Sequence, residues 1–162
     1  MGLFDKRKQR LAAEREAREK AELARRIREQ AKEQSGQWLK IVNDCAYLVN
    51  TTKNPEVFFP RYELMLEHLE QLAGLECTGI FSNSRELPST AFLRIEAQFP
   101  AATNDFIDRA FEAARANTET LKTEKGKVNA LKRFFAKMDA FTINMDAESI
   151  EHLEALKKEH IQ

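Results

Sequence analysis

Long apolar runs are missing from this chain: nowhere do the roughly 18 consecutive apolar residues needed to cross a bilayer stand together. The basic start Lys6-Arg7-Lys8 leads into more charge instead of the apolar stretch of a secretory signal. Gly2 is followed by Lys6 where a myristoylation signal requires Ser or Thr. Cysteine is scarce as well. Cys45 and Cys77 stand apart with no partner motif, which argues against a disulfide scaffold and for a reducing compartment. The expected location is therefore cytoplasmic, with Cys45 buried on an apolar helix face. Net charge is lacking too: 26 basic residues balance 26 acidic ones, so no global field draws the chain to nucleic acid or membrane.

Motifs for chemistry are equally thin. His68, His152 and His160 form no HExxH pair and share no metal-ligand spacing with the cysteines. Lys125-Gly126-Lys127 resembles the end of a phosphate-binding loop, but Leu121 stands where that loop needs glycine and Val128 where it needs Ser or Thr. No serine or cysteine carries a nucleophile motif. No catalytic, cofactor-binding or metal-binding residue is assigned, and the chain is expected not to be an enzyme.

What is present begins with uneven charge. Residues 1–36 hold eleven Lys/Arg and seven Asp/Glu, leaving 26 − 11 = 15 against 26 − 7 = 19 for residues 37–162, so the two parts carry +4 and −4. Between Asp5 and Gln34 there is neither proline nor glycine, and Ala, Glu, Arg, Lys and Gln dominate, which predicts one long helix. Glu14, Arg18, Glu22 and Arg26 alternate in sign at four-residue spacing, each favourable pair adding about 0.2–0.5 kcal/mol. After Phe4, its only large apolar residues are Leu11, Leu23 and Ile27. Such a helix cannot bury much of itself, so it should project or pair. A heptad through Ala17, Ala24, Ala31, Trp38 and Cys45 hints at a coiled coil, but Lys20 and Gln34 occupy the matching seam, so a solvated charged helix is the better expectation.

From Trp38 the pattern changes. Trp38, Ile41, Val42, Cys45 and Val49 make an apolar stripe at helical spacing, and Trp38 is expected to be buried at the base of the projecting helix. Ser35-Gly36 can bend the chain between the two patterns. Asn54-Pro55-Glu56 starts a second helix with a core side of Phe58, Phe59, Tyr62, Met65, Leu66, Leu69 and Leu72, kinked by Pro60. Residues 75–89 read as a loop. A short helix follows from about Ser89 to Gln98, then a longer one from about Ala101 to Thr123 with Phe106, Ile107, Phe111 and Leu121 inward. Gly126 should break or bend the chain before Leu131, Phe135 and Met138, and Asp146 should cap a last helix. The fold class is all-α: a small helical bundle (37–162) with a long charged N-terminal helix (1–36).

Two basic groups are candidates for binding. Lys6, Arg7, Lys8 and Arg10 crowd the N-terminus. Lys122, Lys125, Lys132, Arg133 and Lys137 fall on one side of a helix opposite Leu131, Phe135 and Met138. For the second group, a solvated face balancing Glu119 and Asp139 is the better expectation than a binding surface, because the rest of the domain is acidic.

Two segments carry a resemblance. Asn50-Thr51-Thr52-Lys53-Asn54-Pro55-Glu56-Val57-Phe58-Phe59 with Arg61-Tyr62, and Asn104-Asp105-Phe106-Ile107-Asp108-Arg109 leading to Leu121-Lys122-Thr123-Glu124-Lys125-Gly126-Lys127, are similar to a family of uncharacterised small helical proteins of bacterial and prophage genomes. The likeness spans roughly residues 38–140, where that family usually has a small residue in place of Pro60. It implies a helical domain of bacterial or phage origin and no particular activity. The resulting expectation is a protein-interaction or structural module, its partner an unknown protein or a second copy reached through the N-terminal helix. The alternative is nonspecific nucleic-acid binding through the two basic groups. Membrane-surface attachment through Leu3 and Phe4 ranks below both.

Overall fold

A computed structural model describes residues 2–162. Six α-helices follow one another: α1 (Leu3–Thr51), α2 (Pro55–Ala73), α3 (Pro88–Ala97), α4 (Phe99–Thr118), α5 (Glu124–Asp139) and α6 (Ala147–Ile161). Single 3-10 turns lie at Glu76–Thr78 and Thr142–Asn144, and no strand occurs among the described residues. The fold is all-α, as the periodicity predicts.

α1 is one unbroken helix of 49 residues. Ser35-Gly36 does not interrupt it: the Ser35 hydroxyl bonds back to the Lys32 carbonyl at 2.8 Å, and helical residues on both sides carry the ladder through. The chain turns after Thr51, and only Thr52, Lys53 and Asn54 separate α1 from α2, so the two helices pack as an antiparallel pair. Asn54 caps α2 by accepting from the Glu56 N–H at 3.0 Å, with Pro55 in the first helical position. Pro60 does not end α2. It lies on the exposed side, and the N–H it lacks would have served the carbonyl of Glu56 in the exposed first turn.

The core is aromatic and joins α2 to α4. Phe58 and Phe106, both fully buried, stack with centroids 4.4 Å apart, and Phe59 and Tyr62 pack around them. Phe111, Phe134 and Phe135 continue the core toward α5, and Leu153 closes it from α6. Lys157 pins α6 to the end of α5, its Nζ 2.5 Å from Asp139 and 3.0 Å from Glu154. Burial opposes its charge, but the hydrogen bonds to those two carboxylates outweigh this and hold its pKa above the ordinary lysine value.

Several boundaries differ from the sequence reading. α4 starts at Phe99 with Pro100 in its first turn, and ends at Thr118 instead of Thr123. Leu121 therefore lies outside the helix and is 38% exposed instead of facing inward. Gly126 does not break a helix: it sits in the first turn of α5 and donates its N–H to the capping Thr123 Oγ1 at 3.0 Å. Asp146 occupies the N-cap position of α6, yet its side chain makes no capping hydrogen bond. Within the expected loop, Phe81 is buried against the core.

Candidate interaction surfaces

The first 29 described residues, Gly2 to Gln30, are all exposed. α1 first meets the bundle where Arg28 reaches the Thr78 carbonyl at 3.4 Å and Ala31 packs beside Leu75 and Thr78. Positions 3–27 thus form an arm about 37 Å long at 1.5 Å per residue. It leaves past the C-terminal end of α2, because α1 and α2 run antiparallel. One ion pair of the alternating series is formed, Glu22–Arg26 at 2.9 Å, and Glu16–Lys20 adds another at 3.8 Å beside it. The arm needs no nucleus of its own, since the packed half of α1 supplies one and each further residue only propagates it.

The arm tip has two sides. Phe4 and Leu11, 82% and 51% exposed, are seven residues apart and share one side, where Arg7, Lys8 and Arg15 flank them. Of the N-terminal basic group, Arg7 and Lys8 border this apolar pair, while Lys6 and Arg10 lie round the helix from it. All four are exposed.

The other basic group is on the bundle. Lys125, Lys132, Arg133 and Lys137 are exposed on the outer side of α5, and none makes an ion pair among the described residues. Lys122 precedes the helix, in the turn before the cap. Lys127 stands on the inner side, half-buried, 3.6 Å from Glu124. The structure does not bring the two basic groups together: Arg10 stands 18 residues, about 27 Å of helix, before the first contact of α1 with the bundle at Arg28.

An open groove of ≈430 Å³ lies between α2 and the α3–α4 and α5–α6 junctions. Its floor is apolar, built from Phe59, Tyr62, Leu66 and Phe99, with the Tyr62 and Phe99 rings 4.8 Å apart. Its rim carries Glu63, Glu96 and Asp146, all exposed, and none in an ion pair among the described residues. No cation lines it. Apolar periodicity marks Phe59, Tyr62 and Leu66 simply as core, because nothing in the pattern of α2 shows that the chain beside them leaves a gap.

A cleft of ≈490 Å³ lies at the other side of Tyr62, where α1 ends against α3 and α4. Three of its polar side chains already have partners. Arg109 donates to the carbonyls of Val49 and Thr52, Arg94 forks onto Glu86 with two bonds of 2.9 Å, and the Tyr62 hydroxyl donates to the Ile95 carbonyl. The Asn50–Tyr62 and Asn104–Arg109 segments of the sequence resemblance meet here, through Arg109 at the end of α1 and through the Phe58–Phe106 stack. Both contacts hold α4 against the α1–α2 pair.

The remaining reactive side chains are scattered. Cys45 is 1% exposed, and burial raises its pKa although Arg61 pulls the other way; Cys77 is exposed. His152 does not pair with Glu148 along its own helix but binds Asp108 of α4 at 2.6 Å. No group of three or more His, Cys, Asp or Glu among the described residues is arranged to hold a metal ion, and no described helix is long and apolar enough to cross a membrane. Compared with known proteins, the chain matches no family model, no curated protein and no solved structure.

Proposed function

We propose that this chain is a non-enzymatic interaction module, a compact helical bundle that holds a long charged helix out to a protein partner. The observation that carries the reading is the arm itself: every described residue before Ala31 is exposed, and the helix there is kept regular by surface ion pairs with no help from the core. A helix of that length with no contact to its own bundle has no stabilising role within the monomer. It serves contact with something else. The resemblance in the two motif segments adds a bacterial or phage origin to the proposal, and the two scattered cysteines add a cytoplasmic setting. A photo-crosslinking residue at Leu11 on the arm tests it against the same residue at Ile143, which is 90% exposed on the bundle. Protein adducts in host extract are expected from position 11 and not from 143, and their absence at 11 would refute the reading.

A second reading, nonspecific nucleic-acid binding, is favoured by Lys125, Lys132, Arg133 and Lys137 along one side of α5, which form no ion pair among the described residues. Binding of this kind would be salt-sensitive and indifferent to sequence, since no stacking aromatic is exposed among them. Titration against short duplex DNA and RNA at low salt decides it; no binding there removes this reading.

A further inference from the structure

We infer that the occupant of the acid-rimmed groove is the arm tip of a second copy of this chain. The two surfaces are complementary in kind and in layout. At the tip, an apolar pair, Phe4 and Leu11, is flanked by Arg7, Lys8 and Arg15. In the groove, an apolar floor of Phe59, Leu66 and Phe99 is flanked by Glu63, Glu96 and Asp146. Anchors seven residues apart on one side of a helix, about 10 Å along its axis, are the spacing by which helices lie in grooves. Glu63, Glu96, Asp146, Arg7, Lys8 and Arg15 form no ion pair among the described residues, so each contact formed between copies replaces water and not one of those pairs.

Geometry excludes the chain's own tip. α1 runs away from the bundle past the C-terminal end of α2, whereas the groove is formed by Phe59 to Leu66, ahead of the last two turns of α2. A continuous helix reaching about 37 Å beyond its last contact cannot return to it. Tip and groove are different surfaces, so the contact is heterologous: two copies exchanging arms close it into a dimer, and copies joined in one direction extend it into a chain.

The inference rests on the interaction-module reading and narrows it to one partner. Sedimentation velocity of the full chain over a concentration series is expected to show a mass that rises above the 18.7 kDa of the monomer. Two full-length variants separate the surfaces: Phe4→Glu with Leu11→Glu at the tip, and Glu63→Lys with Glu96→Lys at the rim. All four positions are exposed, so melting curves should match the parent and certify the fold. Each variant alone should associate at least about tenfold more weakly, as loss of an anchor or of its charge match does. Their equimolar mixture should regain association, because the tip variant still offers a groove and the groove variant a tip. A parent chain that stays monomeric, a groove variant that associates like the parent, or a mixture that fails to recover would each overturn the inference. A monomeric parent that still yields Leu11 adducts in host extract overturns this inference alone; loss of those adducts altogether overturns the module reading with it.

Discussion

Arg109 on α4 donates two hydrogen bonds into the end of α1, from Nε to the Thr52 carbonyl at 2.9 Å and from Nη2 to the Val49 carbonyl at 2.8 Å. These are carbonyls that a helix terminus leaves without intrahelical partners, and a cation there also meets the negative end of the helix dipole. Burial lowers the Arg109 pKa, with Asp105 opposing, but the guanidinium stays charged. This fork ties the end of α1 to α4, and the antiparallel packing of α1 on α2 sets the direction of the arm. Arg109→Met is expected to lower stability by about 2–3 kcal/mol in urea unfolding, the range for hydrogen bonds from a charged donor. Arg109→Lys should recover only part, since an ammonium cannot reproduce the planar fork.

Tyr62 gives the pH dependence. Its ring is 4% exposed, and burial pushes the phenol up to about 12, with Arg94 pulling slightly down. The folded state therefore keeps a proton that the unfolded chain releases near its ordinary value of about 10. The sign follows: this contribution is fully present below about pH 10 and is lost as pH rises toward 12. Phenolate absorbance in an alkaline titration, compared with Tyr62→Phe, should assign the later-titrating signal to Tyr62. An early signal that disappears in Tyr62→Phe would contradict it.

Two glycines in helices should respond oppositely to the same change. An added Cβ at Gly36 meets nothing within 4 Å, so Gly36→Ala should stabilise α1 by up to about 1 kcal/mol. At Gly126 the Cβ would stand 2.9 Å from Thr123 Oγ1, the atom that caps α5. Displacing the cap costs about 1 kcal/mol and cancels the propensity gain, so Gly126→Ala should be neutral or destabilising in thermal melts.

Removing residues 2–26 should leave the melting temperature nearly unchanged, because the first residues that touch the bundle are Arg28 and Ala31. A large loss of cooperativity would mean that the arm contributes to the core.

Local signals were legible in the sequence, and distant ones were not. Asn54-Pro55-Glu56 announces the start of α2 because cap and helix are contiguous. The stripe beginning at Trp38 does face the core, yet Trp38 itself is only half-buried, since α1 crosses the edge of the bundle there. Trp38→Ala should accordingly cost less than the roughly 3–5 kcal/mol of a fully buried aromatic such as Phe58. The Arg109–Thr52 contact spans 57 residues and has no sequence signature. The groove is assembled from α2, α3, α4 and the α6 cap position, and apolar periodicity marks its floor as core without saying that no helix covers it. The end of α4 was missed because Thr118–Thr123 continues a plausible helical composition until Thr123 turns to cap α5.

α1 is one continuous helix, and its residues before Arg28 are exposed and project from the bundle. Spin labels at Ala13 and Gln37, both exposed and both off the tip surface, test this in a Cys77→Ser background, with Cys45 protected by burial. A narrow distance distribution near the 24-residue helical separation of about 36 Å is expected. A broad distribution, or one centred well below about 30 Å, would show an arm that bends at Ser35-Gly36 or frays, and would contradict the projecting helix on which the proposed function stands.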